Sequence, residues 1–389
     1  MTHYDVVIVG GAIVGSSTAY FLRKNGFAGS IAVIEKDPSY ARAATPLSWG
    51  GVRRQFSTPA NILLSSFGYS IISDVKKEFG PDADISFRET GYLVLGSSAS
   101  IPVLEENAKL QRAMGAHTEL YGPAELAKKF PHGNFEGIAM ASFAPKGEGW
   151  FDPWGLMNLV RKGAIARGTD YLADEVVGID AGTRVTGVTL KSGQKISTNH
   201  LVNAAGPAAG AVAAMVGFDL PVSPAKRFTY IVDCPAAPEA LRMGPAWFNI
   251  DGVYWRPEGR NFMFGFTPSA EEEPAVKDWE MEHHWFEDKI WPSAFERVPA
   301  FESLKVISGY VGHYDYNWFD QNGIIGRHPG LSNFYFGNGF SGHGIQQGPA
   351  TGNAIAELIM FGAFKTLDVS ALNVVRIAAN KPVFEKNIF

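Results

Sequence analysis

The residues best suited to chemistry are the glycines near the N terminus, in "VVIVGGAIVGSSTAYFL". Gly10, Ala12 and Gly15 occupy the three positions of the dinucleotide fingerprint G-x-G-x-x-G, with alanine in place of the middle glycine. The first position allows a tight turn, the second lets the backbone approach a pyrophosphate, and the third lets helix and strand pack closely. Because Ala12 adds only one methyl group, we expect a shifted pyrophosphate rather than a lost site.

The elements around these residues must hold the turn. An apolar run of strand length at residues 4–9 precedes the glycines, and a helical pattern over residues 13–25 follows them. "SIAVIEK" then predicts a second buried strand that carries Glu35. This order of strand, turn, helix and strand is the context that the fingerprint requires. The Glu35 carboxylate would accept hydrogen bonds from ribose hydroxyls and repel a 2′-phosphate, so NADP is disfavoured while NAD and FAD both remain open.

Two later stretches resemble further contacts to a dinucleotide. "KISTNHLVNAAGPAAG" predicts a strand that runs into a small-residue turn at residues 204–206, for which tight packing without a ligand is the alternative. "NFYFGNGFSGHGIQQGPATGNAIAELI" predicts a strand, a loop with Gly339, Gly342 and Gly344, and a helix. Such loops present backbone N–H groups to a ligand. Two distant glycine loops suit an extended FAD better than a nicotinamide cofactor.

Composition sets limits on partners and location. The 389 residues are 46% hydrophobic and 19% charged, and the net charge of −5 comes without long runs of Lys or Arg, so nucleic acid is an unexpected partner. The single Cys234 cannot form an internal disulfide or a multi-thiolate metal site, and we expect no metal. The apolar stretch 6–22 lacks a basic leader and contains the fingerprint. We therefore expect a cytoplasmic protein without a membrane span.

Several stretches together carry a family resemblance: the N-terminal unit, "AATPLSWGGVRRQFS", "GWFDPWGLMNLV", "LVNAAGP" and "GFSGHGIQQGPATGNAIAEL". On them the chain resembles the FAD-dependent amine oxidoreductases of the D-amino-acid oxidase and sarcosine oxidase (DAO) superfamily. "GVYWRPEG", "FEDKIWPSAFERVPAFE" and "GHYDYNWFDQNGIIGRHP" are similar to the FAD-dependent oxidoreductase-domain proteins that are linked in mitochondria to assembly of respiratory complex I.

The resemblance implies an α/β (α+β) fold of two interleaved domains. Residues 1–80, 141–220 and 305–389 would form a Rossmann-like FAD-binding domain. Residues 81–140 and 221–304 would form a substrate domain on a mainly antiparallel sheet. Strand patterns at 86–96 and 227–234, and a hairpin in "GVYWRPEGRNFMFGF", are compatible with this division.

The resemblance also implies cofactor contacts, position by position. Those to adenosine and pyrophosphate are Gly10, Gly11, Ala12, Ile13, Val14, Gly15, Glu35 and Lys36, with Val176 or Val177 as a main-chain contact to adenine. Those near the phosphates and flavin are Thr45, Ser48, Gly50 and Gly51, to which we add the turn of Ala204, Ala205 and Gly206. Those at the flavin's pyrimidine edge are Gly342, His343, Gly344, Ile345 and Gln346.

Departures from the monomeric sarcosine oxidases are informative as well. Gln346 replaces a lysine and Phe56 an arginine that hold the substrate carboxylate, and Met263 replaces the lysine under the flavin that activates dioxygen. His313 stands where those enzymes carry the cysteine that anchors the flavin. We therefore expect noncovalently bound FAD.

Candidates for the catalytic pocket are Arg53, Trp255, Met263, His313, Tyr314 and Gln346. Tyr254 and Arg256 share one face of their strand while Trp255 takes the other, and the resemblance puts Trp255 and Met263 on the pocket side. His283 and His284 lie in an acidic stretch for which the pattern predicts a solvated helix rather than a metal site.

The resemblance implies oxidation of the C–N bond of an amine or amino acid, with a secondary or N-methylated amine as the expected substrate. A hydride passes to flavin N5, and the imine product hydrolyses. Loss of the lysine matched by Met263 favours a dehydrogenase over an oxidase. The electron acceptor would be a quinone, an electron-transfer protein or dioxygen, and we expect the reaction with dioxygen to be the slow one. The alternative is a flavoprotein that mainly binds or assists assembly of a respiratory-type partner with little turnover.

Overall fold

The computed structural model describes residues 2–386. Its strands, in chain order, are β1 Thr2–Val9, β2 Ile31–Glu35, β3 Gly51–Val52, β4 Tyr92–Gly96, β5 Glu119–Tyr121, β6 Met140–Phe143, β7 Gly149–Trp150, β8 Asp170–Ala173, β9 Val176–Ala181, β10 Val185–Leu190, β11 Lys195–Asn203, β12 Val222–Asp233, β13 Ala246–Phe248, β14 Val253–Glu258, β15 Asn261–Phe266, β16 Lys305–Asn317, β17 Ile324–Arg327 and β18 Phe334–Asn338.

The α-helices are α1 Ile13–Lys24, α2 Pro59–Ile72, α3 Val75–Phe79, α4 Ile101–Ala113, α5 Pro123–Lys129, α6 Pro153–Ala166, α7 Ala209–Ala214, α8 Glu239–Arg242, α9 Trp291–Arg297, α10 Gly344–Phe361 and α11 Val375–Ala378. Short 3-10 turns lie at Ser98–Ser100, Gly206–Ala208, Pro299–Ser303 and Ser370–Leu372, and a π turn lies at Phe286–Ile290.

The first sheet is built around β1, the strand that precedes the glycine turn. Its order is β17-β18-β11-β1-β2-β8, and β10 and β9 extend from β11. Strands β18, β11, β1, β2 and β8 run parallel, whereas β17 is antiparallel to β18. The carboxyl ends of β1, β11 and β18 therefore meet at one edge, where ligands bind in open α/β sheets.

Helices cover this sheet because its strands are buried along their length. Helices α1, α6 and α10 contribute side chains to the same apolar core as β1 and β2. Side chains of β9, β10 and α7 pack against other residues of the sheet and form a second apolar core with them. The predicted α/β fold class is confirmed.

The second sheet has the order β16-β12-β15-β14-β13-β4-β6-β5 and is antiparallel except where β13 pairs with β4. Its core is rich in aromatic side chains. Trp255 on β14 lies opposite Trp247 of the neighbouring strand β13 and opposite Phe264 of β15. The Phe301 ring packs edge-on against Trp255. This sheet is the mainly antiparallel one that the resemblance implied.

Most of the predicted elements near the cofactor fingerprint form. Strand β1, helix α1 and strand β2 lie where their patterns predicted them, and the hairpin forms from β14 and β15. In contrast, the stretch predicted as a strand at 86–96 is regular only over Tyr92–Gly96. The acidic stretch, residues 271–289, is helical only from His284 onward, whereas residues 267–283 carry neither helix nor strand. Ion pairs with buried cations, given below, hold its backbone instead.

The division into domains stays a prediction. Strand β16 pairs with β12 along its length and belongs to the second sheet, although residues 305–389 were assigned to the FAD-binding domain. Strand β6, which spans the proposed border at 141, also belongs to the second sheet. Among residues 2–386, no helix is both long and apolar enough to cross a membrane.

Candidate cofactor and substrate sites

The glycine turn after β1 has room for hydrogen atoms only. Gly10 has φ +96°, and a Cβ there would lie 2.3 Å from the carbonyl oxygen of Ala204. A Cβ on Gly15 would lie 1.8 Å from the carbonyl oxygen of Gly10. Ala12 is the N-cap of α1 and supplies no side-chain cap. The N–H of Ile13 donates to Oγ1 of Thr45 at 3.4 Å, and the N–H groups that follow it in the first turn are the ones that can face an anion.

Glu35 closes the edge of this turn. Its Oε2 accepts a hydrogen bond from the backbone N–H of Gly11 at 2.8 Å, and its Oε1 accepts one from that of Asp37 at 2.9 Å. Each carboxylate oxygen can accept a further hydrogen bond, so these two contacts position Glu35 and leave it acceptor capacity for a ligand. The side chain therefore remains suited to bind ribose hydroxyls.

A cavity of about 750 Å³ extends from this turn to the C-terminal glycine loop, a size ordinary for a cofactor site. The predicted cofactor residues on its wall are Gly10, Ala12, Ile13, Val14, Glu35, Lys36, Thr45, Ser48, Ala204, Ala205, Gly206, Gly342, Gly344 and Ile345. The backbone groups at both ends and the glycine cradle between them fit an extended dinucleotide.

The remaining predicted cofactor residues lie elsewhere. Gly11, Gly15 and Gly50 support the loops but do not line this cavity, while Gly51, His343 and Gln346 line the smaller cavity described next. Neither valine of the predicted adenine contact lines the larger cavity. The Val176 side chain is buried in the core, and that of Val177 is exposed. Their neighbour Glu175 lies on the wall instead, because the chain enters β9 immediately after it.

A second cavity of about 260 Å³ adjoins the first. The two cavities share Ser48, Tyr314, Gly342 and Ile345 as wall residues, so a cofactor that fills the larger one meets the contents of the smaller one there. Cations, hydroxyl groups and amides surround the smaller cavity: Arg53, Arg227, Tyr92, Tyr254, Tyr316, Gln321, Asn322 and Gln346 all line it.

Stacked aromatic rings make one wall of the smaller cavity. Phe248 stacks on Tyr92 with ring centroids 5.3 Å apart, and on Tyr254 at the same distance on its other side. Burial raises the pKa of Tyr92 to about 12 and that of Tyr254 well above its ordinary value. Both phenols therefore stay protonated and serve as hydrogen-bond groups, not as bases, at neutral pH.

Arg53 is held by the C-terminal glycine loop. Its backbone N–H donates to Oε1 of Gln346 at 2.7 Å, and its guanidinium donates to the carbonyl oxygen of Gln55 and to Nε2 of His343. Burial, and then the charge of Arg53, lower the pKa of His343 to about 3. His343 is therefore neutral, with its proton on Nδ1, and that buried atom has no hydrogen-bond partner among the described residues.

Glu148 supports the loop that carries Arg53. Its Oε1 accepts hydrogen bonds from the backbone N–H groups of Arg54 and Gln55, and its Oε2 accepts one from the Gln55 side chain at 2.7 Å. Burial raises the pKa of this carboxyl to about 7, against the opposing effect of those hydrogen bonds. Sequence analysis did not identify Glu148, because its partners are distant in the chain.

Two further polar side chains of the smaller cavity also escaped prediction. Arg227 on β12 is paired with Glu273, and Glu385 near the end of the described chain binds side chains at the start of α2. A signal for Arg227 existed in "AKRFTYIVD", where two cations stand inside an apolar strand. Buried charges need partners, so such a pair predicts acidic side chains nearby but does not identify them.

Comparison with known proteins gives the family. The profile of the DAO family, described as "FAD dependent oxidoreductase", matches residues 5–358. The chain belongs to this family. FAD is accordingly its cofactor, as the glycine loops predicted, and the turn and cavity described above are those of an FAD-dependent oxidoreductase. Noncovalent attachment stays a prediction.

Relatives of known name agree with this placement. The chain is 40% identical to FAD-dependent oxidoreductase domain-containing protein 1 of Xenopus laevis, over 99% of this chain and 84% of that one. It is 25% identical to human mitochondrial sarcosine dehydrogenase, over 92% of this chain but 40% of that one. L-proline dehydrogenase from P. horikoshii superposes with a TM-score of 0.86 at 26% identity, covering 98% of this chain and 100% of that one.

Within the family fold, the structure corrects the face assigned to Trp255. The β14–β15 register pairs Trp255 with Phe264 and Arg256 with Met263, so Trp255 and Met263 point to opposite faces. Trp255 is fully buried in the aromatic core and lines neither cavity, whereas Tyr254 reaches the smaller cavity. Met263 shares the face of Tyr254 and is buried without lining either cavity. Alternation alone could not tell which face was which.

His313 and Tyr314 both reach the larger cavity. The His313 ring stacks on Trp279 with centroids 3.9 Å apart, and its Nε2 lies 3.3 Å from the carbonyl oxygen of Asp278. Burial lowers the pKa of His313, so the ring tends to be neutral. Of the catalytic candidates, Arg53, Tyr314 and Gln346 line the smaller cavity, and their roles stay predictions.

Proposed function

We propose that this flavoprotein oxidises the C–N bond of an amino acid, with a secondary or N-methylated amine preferred, and that it acts as a dehydrogenase. The observation that carries the proposal is the smaller cavity. It opens onto the cofactor cavity and combines an aromatic wall with the arginines Arg53 and Arg227. A small molecule with an apolar body and a carboxylate suits these surroundings.

The chain's own residues would bind, orient and dehydrate this substrate. The stacked Tyr92, Phe248 and Tyr254 exclude water from one side, and arginine holds a carboxylate through two parallel hydrogen bonds. FAD, when bound, accepts the hydride equivalent that leaves the carbon next to nitrogen. Placing that carbon beside the cofactor is the largest contribution that such a site makes, because it converts an encounter into a fixed geometry.

Among the described residues, Tyr254, Tyr314 and His343 on the cavity walls do not provide a strong base at neutral pH. Burial raises the pKa values of Tyr254 and Tyr314, and His343 is neutral with a pKa of about 3. The substrate amine itself therefore has to be neutral so that its lone pair assists departure of the hydride. The resulting imine hydrolyses in water and needs no further group from the protein.

Names of relatives support the substrate class. L-proline dehydrogenase acts on an amino acid whose nitrogen is secondary, and sarcosine dehydrogenase on one that is N-methylated. Both are called dehydrogenases, which agrees with a neutral Met263 in place of the lysine of the sarcosine oxidases. A function limited to binding or assembling a partner is not favoured, because both the cofactor cavity and the adjoining cavity are formed.

Steady-state reduction of an artificial dye by the FAD-loaded protein tests this proposal. The panel pairs sarcosine with glycine, L-proline with L-alanine, and N-methylated with primary amines lacking a carboxylate. We expect turnover with the secondary amino acids, with a carbonyl product formed in proportion to the dye reduced. Turnover of carboxylate-free amines alone would contradict an amino-acid substrate, and no turnover of any member by FAD-loaded protein would contradict the activity.

A further inference from the structure

Arg227 presents a complete carboxylate-binding fork at the wall of the smaller cavity. Its Nη1 lies 2.6 Å from Oε1 of Glu273, and its Nη2 donates to Oε2 at 3.1 Å. The guanidinium lies over the rings of Tyr314 and Tyr316, 5.6 and 5.5 Å from their centroids. Two aromatic faces and a carbonyl contact to Lys226 fix the orientation of the fork, so it is prepared for a carboxylate in that plane.

The carboxylate that occupies this fork comes from an irregular segment. Residues 267–283, here called the acidic segment, carry neither helix nor strand and contain Glu271, Glu272, Glu273, Asp278, Glu280 and Glu282. Side-chain ion pairs attach the segment to β12: Glu273 binds Arg227, while Asp278 and Glu282 bind the buried Lys226 at 2.7 and 3.0 Å. Glu273 can therefore leave while the Lys226 pairs keep the segment in place.

The second arginine of the cavity is less available for a ligand. Arg53 donates from one nitrogen to the carbonyl oxygen of Gln55 at 2.6 Å and from the other to His343 at 3.3 Å. Its guanidinium also lies 4.0 Å from the centroid of the Phe56 ring. These contacts build Arg53 into the loop, whereas the two parallel hydrogen bonds of Arg227 go to a side chain that another carboxylate can replace.

We propose that Arg227 is the anchor for the substrate's carboxylate and that Glu273 occupies it as an internal competitor, which the substrate displaces. The assignment of the cavity to substrate rests on the proposed function. The exchange conserves charge, because one carboxylate replaces another on the same guanidinium. It also selects against amines without a carboxylate, which cannot displace Glu273.

Binding of carboxylates that are not oxidised tests the exchange independently of turnover. Acetate and benzoate are titrated into the oxidised, FAD-loaded protein, and binding is followed by the change in the visible flavin spectrum. We expect Glu273→Gln to bind both probes roughly three- to tenfold more tightly than wild type, since a competing ion pair has been removed. Glu272→Gln is the matched control, because Glu272 is the neighbouring carboxylate and pairs with Lys289 instead of Arg227.

Substitutions of the arginine complete the test. Arg227→Lys keeps the charge but loses the fork, and we expect it to weaken probe binding at least about tenfold. The double variant Arg227→Gln with Glu273→Gln removes both charges and keeps the experiment interpretable if a single variant is unstable; we expect it to lose probe binding while retaining FAD.

The possible failures are distinguishable. Equal probe affinity in wild type, Glu273→Gln and Glu272→Gln would overturn the competition by Glu273. Unchanged affinity in Arg227→Lys or in the double variant would overturn the anchor. Neither of these results contradicts the proposed oxidation of amino acids. Tighter probe binding in Glu273→Gln without turnover of any amino acid would instead count against the proposed function alone.

Discussion

Gly15 leaves no room for a side chain, since even a Cβ would lie 1.8 Å from the carbonyl oxygen of Gly10. The Gly10 carbonyl group and the Cα of Gly15 both belong to backbone that the turn and α1 hold in place, so neither can move away. Ala12 differs, because it lies on the wall of the larger cavity. The alanine in the fingerprint is thus compatible with FAD, whereas a substitution of the third glycine is not.

We therefore predict that Gly15→Ala purifies with little or no FAD and that Ala12→Gly retains it. The ratio of flavin to protein absorbance in the purified variants measures both. Normal flavin content in Gly15→Ala would show that the cofactor does not depend on this turn.

Protonation of His343 links stability to pH. Its pKa of about 3 lies below the ordinary value of about 6.5, so the folded state prefers the neutral ring. The resulting stability is fully present above about pH 6.5 and is lost as the pH falls toward the folded pKa. At about pH 5 the loss from this single group amounts to about 2 kcal/mol.

His343→Gln removes that loss, because an amide does not titrate. We expect the fall in unfolding free energy between about pH 7 and pH 5 to be smaller in this variant than in wild type, as measured by urea denaturation of the FAD-loaded proteins. Identical pH dependence in the two proteins would mean that the ring is solvated and titrates normally.

At the level of strands, the β14–β15 register determines which side chains face the cofactor side of the second sheet. Met263 lies opposite Arg256, whose guanidinium is already committed to Glu258 and to the carbonyl oxygens of Trp49 and Pro257. The charge of Arg256 is therefore neutralised by a neighbour, as that of Arg227 on the same face is by Glu273. This agrees with slow transfer of an electron to dioxygen, since a fixed cation stabilises the superoxide that forms.

We predict that reduced wild-type protein is reoxidised slowly by dioxygen and that Met263→Lys accelerates this step at least about tenfold. Stopped-flow mixing of the reduced protein with dioxygen provides the rates, and Met263→Leu is the uncharged control. Fast reoxidation of wild type that the lysine leaves unchanged would show that another charge acts there or that Met263 is wrongly placed.

The C-terminal segment forms part of the wall of the smaller cavity. Glu385 accepts hydrogen bonds from the backbone N–H and the hydroxyl of Ser57, from the hydroxyl of Thr58 and from the amide of Asn61, all at the start of α2. A carboxylate at a helix N-terminus also interacts favourably with the helix dipole. This contact closes the site although the residues involved lie far apart in sequence.

We expect Glu385→Gln to lower the unfolding free energy by about 1–3 kcal/mol while leaving the FAD content unchanged. Glu106→Gln is the control, since Glu106 pairs with Lys386 on the surface and its loss should change stability by less than about 0.5 kcal/mol. Urea denaturation of both variants measures the difference, and equal stability would mean that the segment does not hold the wall.

The elements near the N terminus could be predicted because their signals are local. The apolar run of β1, the glycine turn, helix α1 and Glu35 follow one another within the first strand-helix-strand unit. The acidic segment could not be predicted as irregular, because its conformation depends on Lys226 and Arg227 from a distant strand. Trp255 was assigned to the wrong face for a related reason: period two in a strand gives two faces, and only tertiary packing decides which is buried.

For the whole molecule, the two sheets have separate tasks. The parallel sheet carries the cofactor turn at the carboxyl ends of its strands, while the second sheet supplies Arg227, Tyr254 and Tyr314 to the adjoining cavity. The proposed reaction site thus lies where loops of the first sheet meet a face of the second. No single stretch of sequence contains it, which is why the fingerprint predicted the cofactor site and left the substrate side open.

The central claim is that an amino acid in the smaller cavity reduces the adjoining FAD by losing hydrogen from the carbon next to nitrogen. Anaerobic mixing of the FAD-loaded protein with sarcosine or L-proline, each with and without deuterium at that carbon, tests it most directly. We predict loss of visible flavin absorbance in a single phase that the deuterated substrate slows several-fold. Absence of bleaching with every secondary amino acid tried, or bleaching at equal rates with both isotopes, would contradict the account.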